Sequence, residues 1–148
     1  MPYAPRTNRD RQPAIPMQPA IDPAAWTPDE LAAKDDWIYE LTGDECDQIV
    51  AAVHGVGKSG TDIKDIRKDD FRLAGFADDL AGIRDEFLNG RGFVLIRGVP
   101  VADMNREQSA IAFWGIGAHL GRAVSQNGQG HLLGHVKDVG GDYSDKNT

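Results

Sequence analysis

Apolar residues along this chain fall in short blocks whose spacing alternates between helical and strand periods. Thr27-Pro28-Asp29-Glu30 sets a hydroxyl three residues before a glutamate, with proline at the first helical position, and predicts a short helix to about Lys34. Trp37-Ile38-Tyr39-Glu40-Leu41 is rich in aromatic and β-branched residues and predicts a short strand. Thr42-Gly43-Asp44-Glu45 repeats the capping pattern. Cys46, Ile49, Val50 and Val53 follow at helical spacing, and Gly55 is expected to stop that helix.

A loop with Gly57 and Gly60 then leads to Asp69-Asp70-Phe71 and to a second long helix from about Phe76 to Asn89. Its buried stripe is expected to be Phe76, Leu80, Ile83 and Phe87, with Asp78, Asp79, Arg84, Asp85 and Glu86 solvated. Gly90 and Gly92 break it. Phe93-Val94-Leu95-Ile96-Arg97 is apolar on both faces and predicts an interior strand. After the turn at Gly98 and Pro100, Asn105 with Gln108 three residues on opens another helix, with Ile111, Phe113, Trp114, Gly117, Ala118 and Leu120 as its apolar set. Beyond Gly121 the pattern shortens, and Leu132, Leu133 and Val136 predict a strand.

Six prolines lie in the first 23 residues (Pro2, Pro5, Pro13, Pro16, Pro19 and Pro23), so residues 1–26 are expected to form an extended arm and not a helix. Residues 27–148 form the body, one mixed α and β domain of ordinary size. No apolar run of signal-peptide length follows Arg6, Arg9 and Arg11, which makes the cytoplasm the expected location. The uninterrupted aliphatic or aromatic run Phe93–Ile96 is far short of a membrane span, as are the five-residue runs Ile49–Val53 and Ala110–Trp114. A net charge of -7 argues against general nucleic-acid binding. Cys46 is the single cysteine, which leaves no internal disulfide and no thiolate zinc site.

Several residue patterns invite a chemical reading. Gly55-Val56-Gly57-Lys58-Ser59 ends like a phosphate-binding loop, but position 52, where that motif needs glycine, is Ala52, and a helix precedes it instead of a strand. It reads as a helix-ending glycine loop with an exposed lysine. His131 and His135 are four apart, but the flanking Gly130, Gly134 and Leu132-Leu133 favour a strand, in which the two rings stand roughly 13 Å apart, too far for one ion. His119 reads as a packing residue, and His54 as a residue at a helix C-terminus. No serine sits in a Gly-x-Ser-x-Gly elbow, and Cys46 lies on an apolar helix face. Gly121-Arg122 with Ser125-Gln126-Asn127 is a polar, turn-rich stretch of the kind that caps, turns or lines sites.

The stretch from Gly90 to Val101, including Arg91-Gly92-Phe93-Val94-Leu95-Ile96-Arg97-Gly98-Val99-Pro100, resembles the N-terminal strand signature of the taurine-dioxygenase-like (TauD/TfdA) oxygenases. The likeness continues through Phe113-Trp114-Gly115-Ile116-Gly117, His119-Leu120-Gly121, Ser125-Gln126-Asn127 and Leu132-Leu133-Gly134-His135-Val136-Lys137-Asp138. It covers residues 69 to about 142, with weaker agreement back to Trp37. The resemblance implies an α+β fold: an incomplete double-stranded β-helix, or jelly roll, with N-terminal bracing helices. It also implies iron(II) and 2-oxoglutarate as the cofactors of an intact enzyme that oxidises a small organic substrate.

The family holds iron with a His-x-Asp pair and a distant histidine, and holds 2-oxoglutarate with a late arginine. In this chain the residues two beyond His54, His119, His131 and His135 are Val56, Gly121, Leu133 and Lys137, so no ligand is carried over. The resemblance places the iron pair downstream of Leu133–Asp142, and Arg91, Arg97 and Arg122 do not replace the oxoglutarate arginine. The expectation is therefore an N-terminal portion truncated before the metal-binding motif, catalytically inactive as these 148 residues and binding neither cofactor tightly. By position in the family, Gln126 and Asn127 are the candidates for lining the site. The other reading is a non-catalytic relic or interaction module that packs on a partner or self-associates through uncovered strands.

Overall fold

A computed structural model describes residues 11–125 and 127–134. Among them the elements run α1 (Pro28–Ala32), β1 (Ile38–Glu40), α2 (Gly43–Ser59), α3 (Phe76–Asn89), β2 (Leu95–Arg97) and α4 (Arg106–Leu120), with 3-10 turns at Ile63–Asp65 and Val101–Asp103. The predicted capping boxes form at Thr27 with Glu30, at Thr42 with Glu45 and at Asn105 with Gln108. In each, the two side chains satisfy backbone N–H groups that a helix start leaves without partners.

The two strands pair in parallel, with Ile38 opposite Leu95, Tyr39 opposite Ile96 and Glu40 opposite Arg97. A parallel pair needs a long crossover, and α2 and α3 supply it. Helices α2, α3 and α4 share one core with the irregular segment between α2 and α3. Ile49, Val53, Phe71, Phe76, Leu80 and Ile83 lie wholly or almost wholly out of solvent there. Each buried side chain of this size contributes about 1.5–3 kcal/mol through loss of contact with water.

Several features depart from the sequence expectations. First, α2 does not stop at Gly55 but runs to Ser59 and ends at Gly60, whose φ of 68° is the left-handed conformation glycine adopts without strain. Val56 is buried and extends the stripe of Ile49 and Val53, and this packing outweighs the weak helix propensity of Gly55 and Gly57.

Second, the strand expected over Phe93–Arg97 is only Leu95–Arg97, and Leu95 is exposed. Its one neighbour among the described residues is β1, so it is not interior. Third, α4 buries Ile111, Ala112, Gly115 and Ile116 and leaves Phe113 71% exposed. The helix is apolar nearly all round, so periodicity could not choose the face that α2 and α3 cover.

Fourth, Glu86, expected on the solvated side of α3, is buried, while Phe87 is half-buried. Its carboxylate accepts the backbone N–H of Arg91 at 2.9 Å where the chain folds back over the end of the helix. Residues Leu132 and Leu133 lie in a bend and not in a strand, and Val136 falls outside the described residues.

The described part of the arm turns back on itself: Gln12 N–H reaches Ile21 O at 2.9 Å, and Arg11 pairs with Asp22 at 2.6 Å. It meets the body at Trp26, whose indole N–H donates to Arg91 O at 3.2 Å and whose ring packs edge-on against Phe93. No helix among the described residues is long and apolar enough to cross a membrane.

Candidate functional site

The polar stretch after α4 is organised by one side chain. Asn127 Oδ1 accepts the backbone N–H groups of Gln129 at 3.1 Å and His131 at 3.0 Å. That fixes which end of the amide is oxygen, so Nδ2 faces His131 Nδ1 at 3.0 Å. Ser125 Oγ donates to Asn127 O at 3.0 Å. Asn127 thus holds a tight turn together through its own backbone neighbours, the habit of asparagine in turns. Gln126, the other residue singled out from the sequence, lies outside the described residues, as does His135.

The remaining histidines serve packing or face solvent. His119 Nε2 bonds Phe71 O at 2.8 Å and so fastens the end of α4 to the segment before α3. His54 is exposed within α2; because the helix continues to Ser59, it does not sit at a helix terminus as the sequence suggested. Gly55, Val56, Gly57 and Lys58 are all helical, so their backbone N–H groups are turned along α2 and cannot wrap a phosphate. Cys46 Sγ donates to Gly98 O at 3.3 Å.

Two charged arrangements have no signal in the sequence. Arg91 Nη2 meets Asp36 Oδ1 at 2.8 Å across 55 positions, with both side chains largely buried. Tyr39 OH donates to the Glu45 carboxylate that also closes the Thr42 capping box. Burial pushes the Tyr39 hydroxyl well above its usual pKa, and the neighbouring Glu45 and Asp79 carboxylates add to the shift. For Glu45 burial acts upward, but the hydrogen bonds from Tyr39 and Thr42 outweigh it and hold the carboxyl below its ordinary range. No local spacing announces a contact between residues so far apart in sequence as Asp36 and Arg91.

A groove of about 720 Å³ runs along the outer face of α4. Phe113, Trp114, Leu120 and Leu132 supply its apolar surface, and Lys64, Arg67, Lys68 and Arg122 supply its charge. Trp114 is held in place by an indole N–H bond to Ile66 O at 3.0 Å.

The described side chains do not fit an iron centre. Among them no three His, Cys, Asp or Glu groups converge as a metal site requires. One ring nitrogen of His119 and one of His131 are already engaged, with Phe71 O and with Asn127 respectively. No iron ligand and no oxidation step is assigned to these residues.

No protein-family profile matches the chain. The chain is 24% identical over 123 residues to FR-33289 synthase of Streptomyces rubellomurinus. The alignment takes in 83% of this chain but only 36% of the synthase. It is therefore longer than the stretch of residues 69 to about 142 that carries the motif resemblance.

Proposed function

We propose that this chain is the N-terminal portion of a TauD/TfdA-like iron(II)- and 2-oxoglutarate-dependent oxygenase. In this reading the three long helices brace a jelly roll that a downstream portion of the polypeptide completes. The observation that carries it is the 123-residue similarity to a synthase of which the chain matches only 36%. The ordered series of motifs from Gly90 to Asp138 supports the same assignment.

The iron ligands and the oxoglutarate arginine belong to the downstream part, and the substrate is a small organic molecule selected there. Gln126 and Asn127 stand near the mouth of the completed site, with Asn127 acting through the turn it organises. The 148 residues alone bind neither cofactor tightly and do not turn over 2-oxoglutarate.

The test is to express both this chain and its complete reading frame and to supply each with ferrous iron, ascorbate and 2-oxoglutarate. Succinate should form with the complete product and not with the 148 residues. Succinate from the short chain, or none from the complete one across a panel of small carboxylates, sulfonates and phosphonates, contradicts the proposal.

A second reading, a non-catalytic interaction module, is favoured by one specific feature. Helix α4 is apolar on two faces and only one is covered among the described residues.

A further inference from the structure

The C-terminal end of α3 holds a buried charge that the fold leaves unbalanced. Glu86 is 1% exposed and makes no ion pair with any described residue. Its Oε1 accepts the Arg91 N–H, but its Oε2 has no hydrogen-bond partner, and neither has Arg91 Nη1. The last turn of α3 carries no basic residue, so Glu86 adds its charge to the negative end of the helix. A buried carboxylate in that position is costly until a cationic donor reaches it. Gly90 keeps the group there, because a Cβ at 90 would fall 2.6 Å from the Glu86 carboxyl carbon.

Glu86 and Arg91 line a cavity of about 600 Å³. Its other walls come from the arm, through Ile21, Pro23 and Trp26, and from α1, through Leu31. The indole bond from Trp26 to Arg91 O fixes the arm against the α3 side. The cavity is thus a recess between three packed stretches of the described chain, not one uncovered helix face. Its volume lies within the roughly 300–1,000 Å³ of small-molecule sites and far exceeds the roughly 30 Å³ of one water.

The other carboxylates lining it are engaged. Asp22 pairs with Arg11 at 2.6 Å, and Asp36 with Arg91 at 2.8 Å. Glu30 closes the Thr27 capping box and interacts with Lys34. One negative charge is left, with one donor that has no acceptor. A matching ligand carries one ammonium group, a nearby oxygen acceptor and a short apolar body. An anion meets Glu86 and the helix end with the wrong sign, and a bare metal ion leaves the apolar walls unused.

We propose that the cavity between the arm, α1 and the end of α3 binds a small organic ammonium ion of the amino-alcohol class. The ammonium donates to Glu86 Oε2, and the hydroxyl accepts from Arg91 Nη1. Both atoms are screened from solvent in this structure, and rotation about the terminal side-chain bonds turns them to the ligand. The site goes beyond the oxygenase assignment and does not depend on it.

The probe is leucinol, which joins an ammonium, an adjacent hydroxyl and an isobutyl body. It is titrated by calorimetry into the 148-residue chain and into the product of its complete reading frame. Saturable binding to both is expected, with none for isohexanol, which lacks the amine, or for isocaproate, which carries the opposite charge. Glu86→Gln keeps an acceptor for the Arg91 N–H but removes the charge, and should weaken binding by about tenfold or more. Leu31→Trp fills the cavity from α1 and should abolish binding. Unchanged circular dichroism and melting will show that each variant keeps the fold.

No binding of leucinol to the folded chain, equal binding of isohexanol, or undiminished binding by either folded variant overturns the proposal. So does binding to the short chain that is lost in the complete product, because the downstream polypeptide then fills the cavity. Potassium chloride that displaces leucinol at equal concentration overturns it too, since the site then takes a simple cation.

Discussion

The ring of Phe71 occupies the space where a side chain on Gly115 would stand: a Cβ built there falls 2.3 Å from the ring carbons. This contact brings α4 down onto the segment before α3, and the bond from His119 to Phe71 O seals the same junction one turn later. Alanine at a helical glycine ordinarily gains about 1 kcal/mol. Gly115→Ala should instead destabilise by about 1–3 kcal/mol through overpacking. Chemical denaturation monitored by circular dichroism will read the sign.

Gly57 gives the opposite expectation. It lies inside α2, is exposed, and has nothing within 4 Å of a built Cβ. Gly57→Ala should therefore stabilise by up to about 1 kcal/mol. A chain in which residues 55–59 formed a loop would show no such gain. A raised melting midpoint for Gly57→Ala, set against a lowered one for Gly115→Ala, checks both helix assignments at once.

These two glycines show what is legible in the sequence. The three capping boxes are readable because their chemistry is local, spanning four consecutive residues. The C-terminal end of α2 is not, because Gly55 and Gly57 look like breakers until Val56 is seen in the core. The buried face of α4 is hidden for a different reason. Phe113 and Ile116 are both strongly apolar, and only α2 and α3 decide which of them is covered.

Asn127 reads from the sequence as a polar turn residue, but its grip on two backbone N–H groups needs three-dimensional geometry. The Asp36–Arg91 pair has no sequence signal at all.

That pair supplies a third prediction. Asp36 and Arg91 side chains are 8% and 15% exposed, so removing one partner strands a largely buried charge. Asp36→Ala should destabilise by about 3 kcal/mol, well above the roughly 0–1 kcal/mol of a surface pair. Glu40→Ala, which breaks the exposed pair with Arg97, is the matched control and should change stability by less than about 1 kcal/mol. Urea midpoints of the two variants decide it.

The link between Tyr39 and Glu45 makes stability depend on pH at both ends. Glu45 titrates below its ordinary 4.5 in the folded protein. Its contribution is present above that value and is lost as pH falls through the lowered folded pKa. Tyr39 titrates above its ordinary 10.0, so its contribution is present below that value and fades as pH rises beyond it. Tyr39→Phe keeps the stacking on Phe76 but removes the hydroxyl, and should cost about 1 kcal/mol at neutral pH while flattening the alkaline limb. Glu45→Gln should flatten the acid limb. Melting temperatures across the pH range, for the three proteins in parallel, test this.

That these residues are the first part of an oxygenase is tested most directly by sequencing the coding DNA and its transcript past the codon for Thr148. The frame is expected to continue into a His-x-Asp pair, a later histidine and an arginine beyond it. A stop codon at that point, in both gene and message, contradicts the assignment.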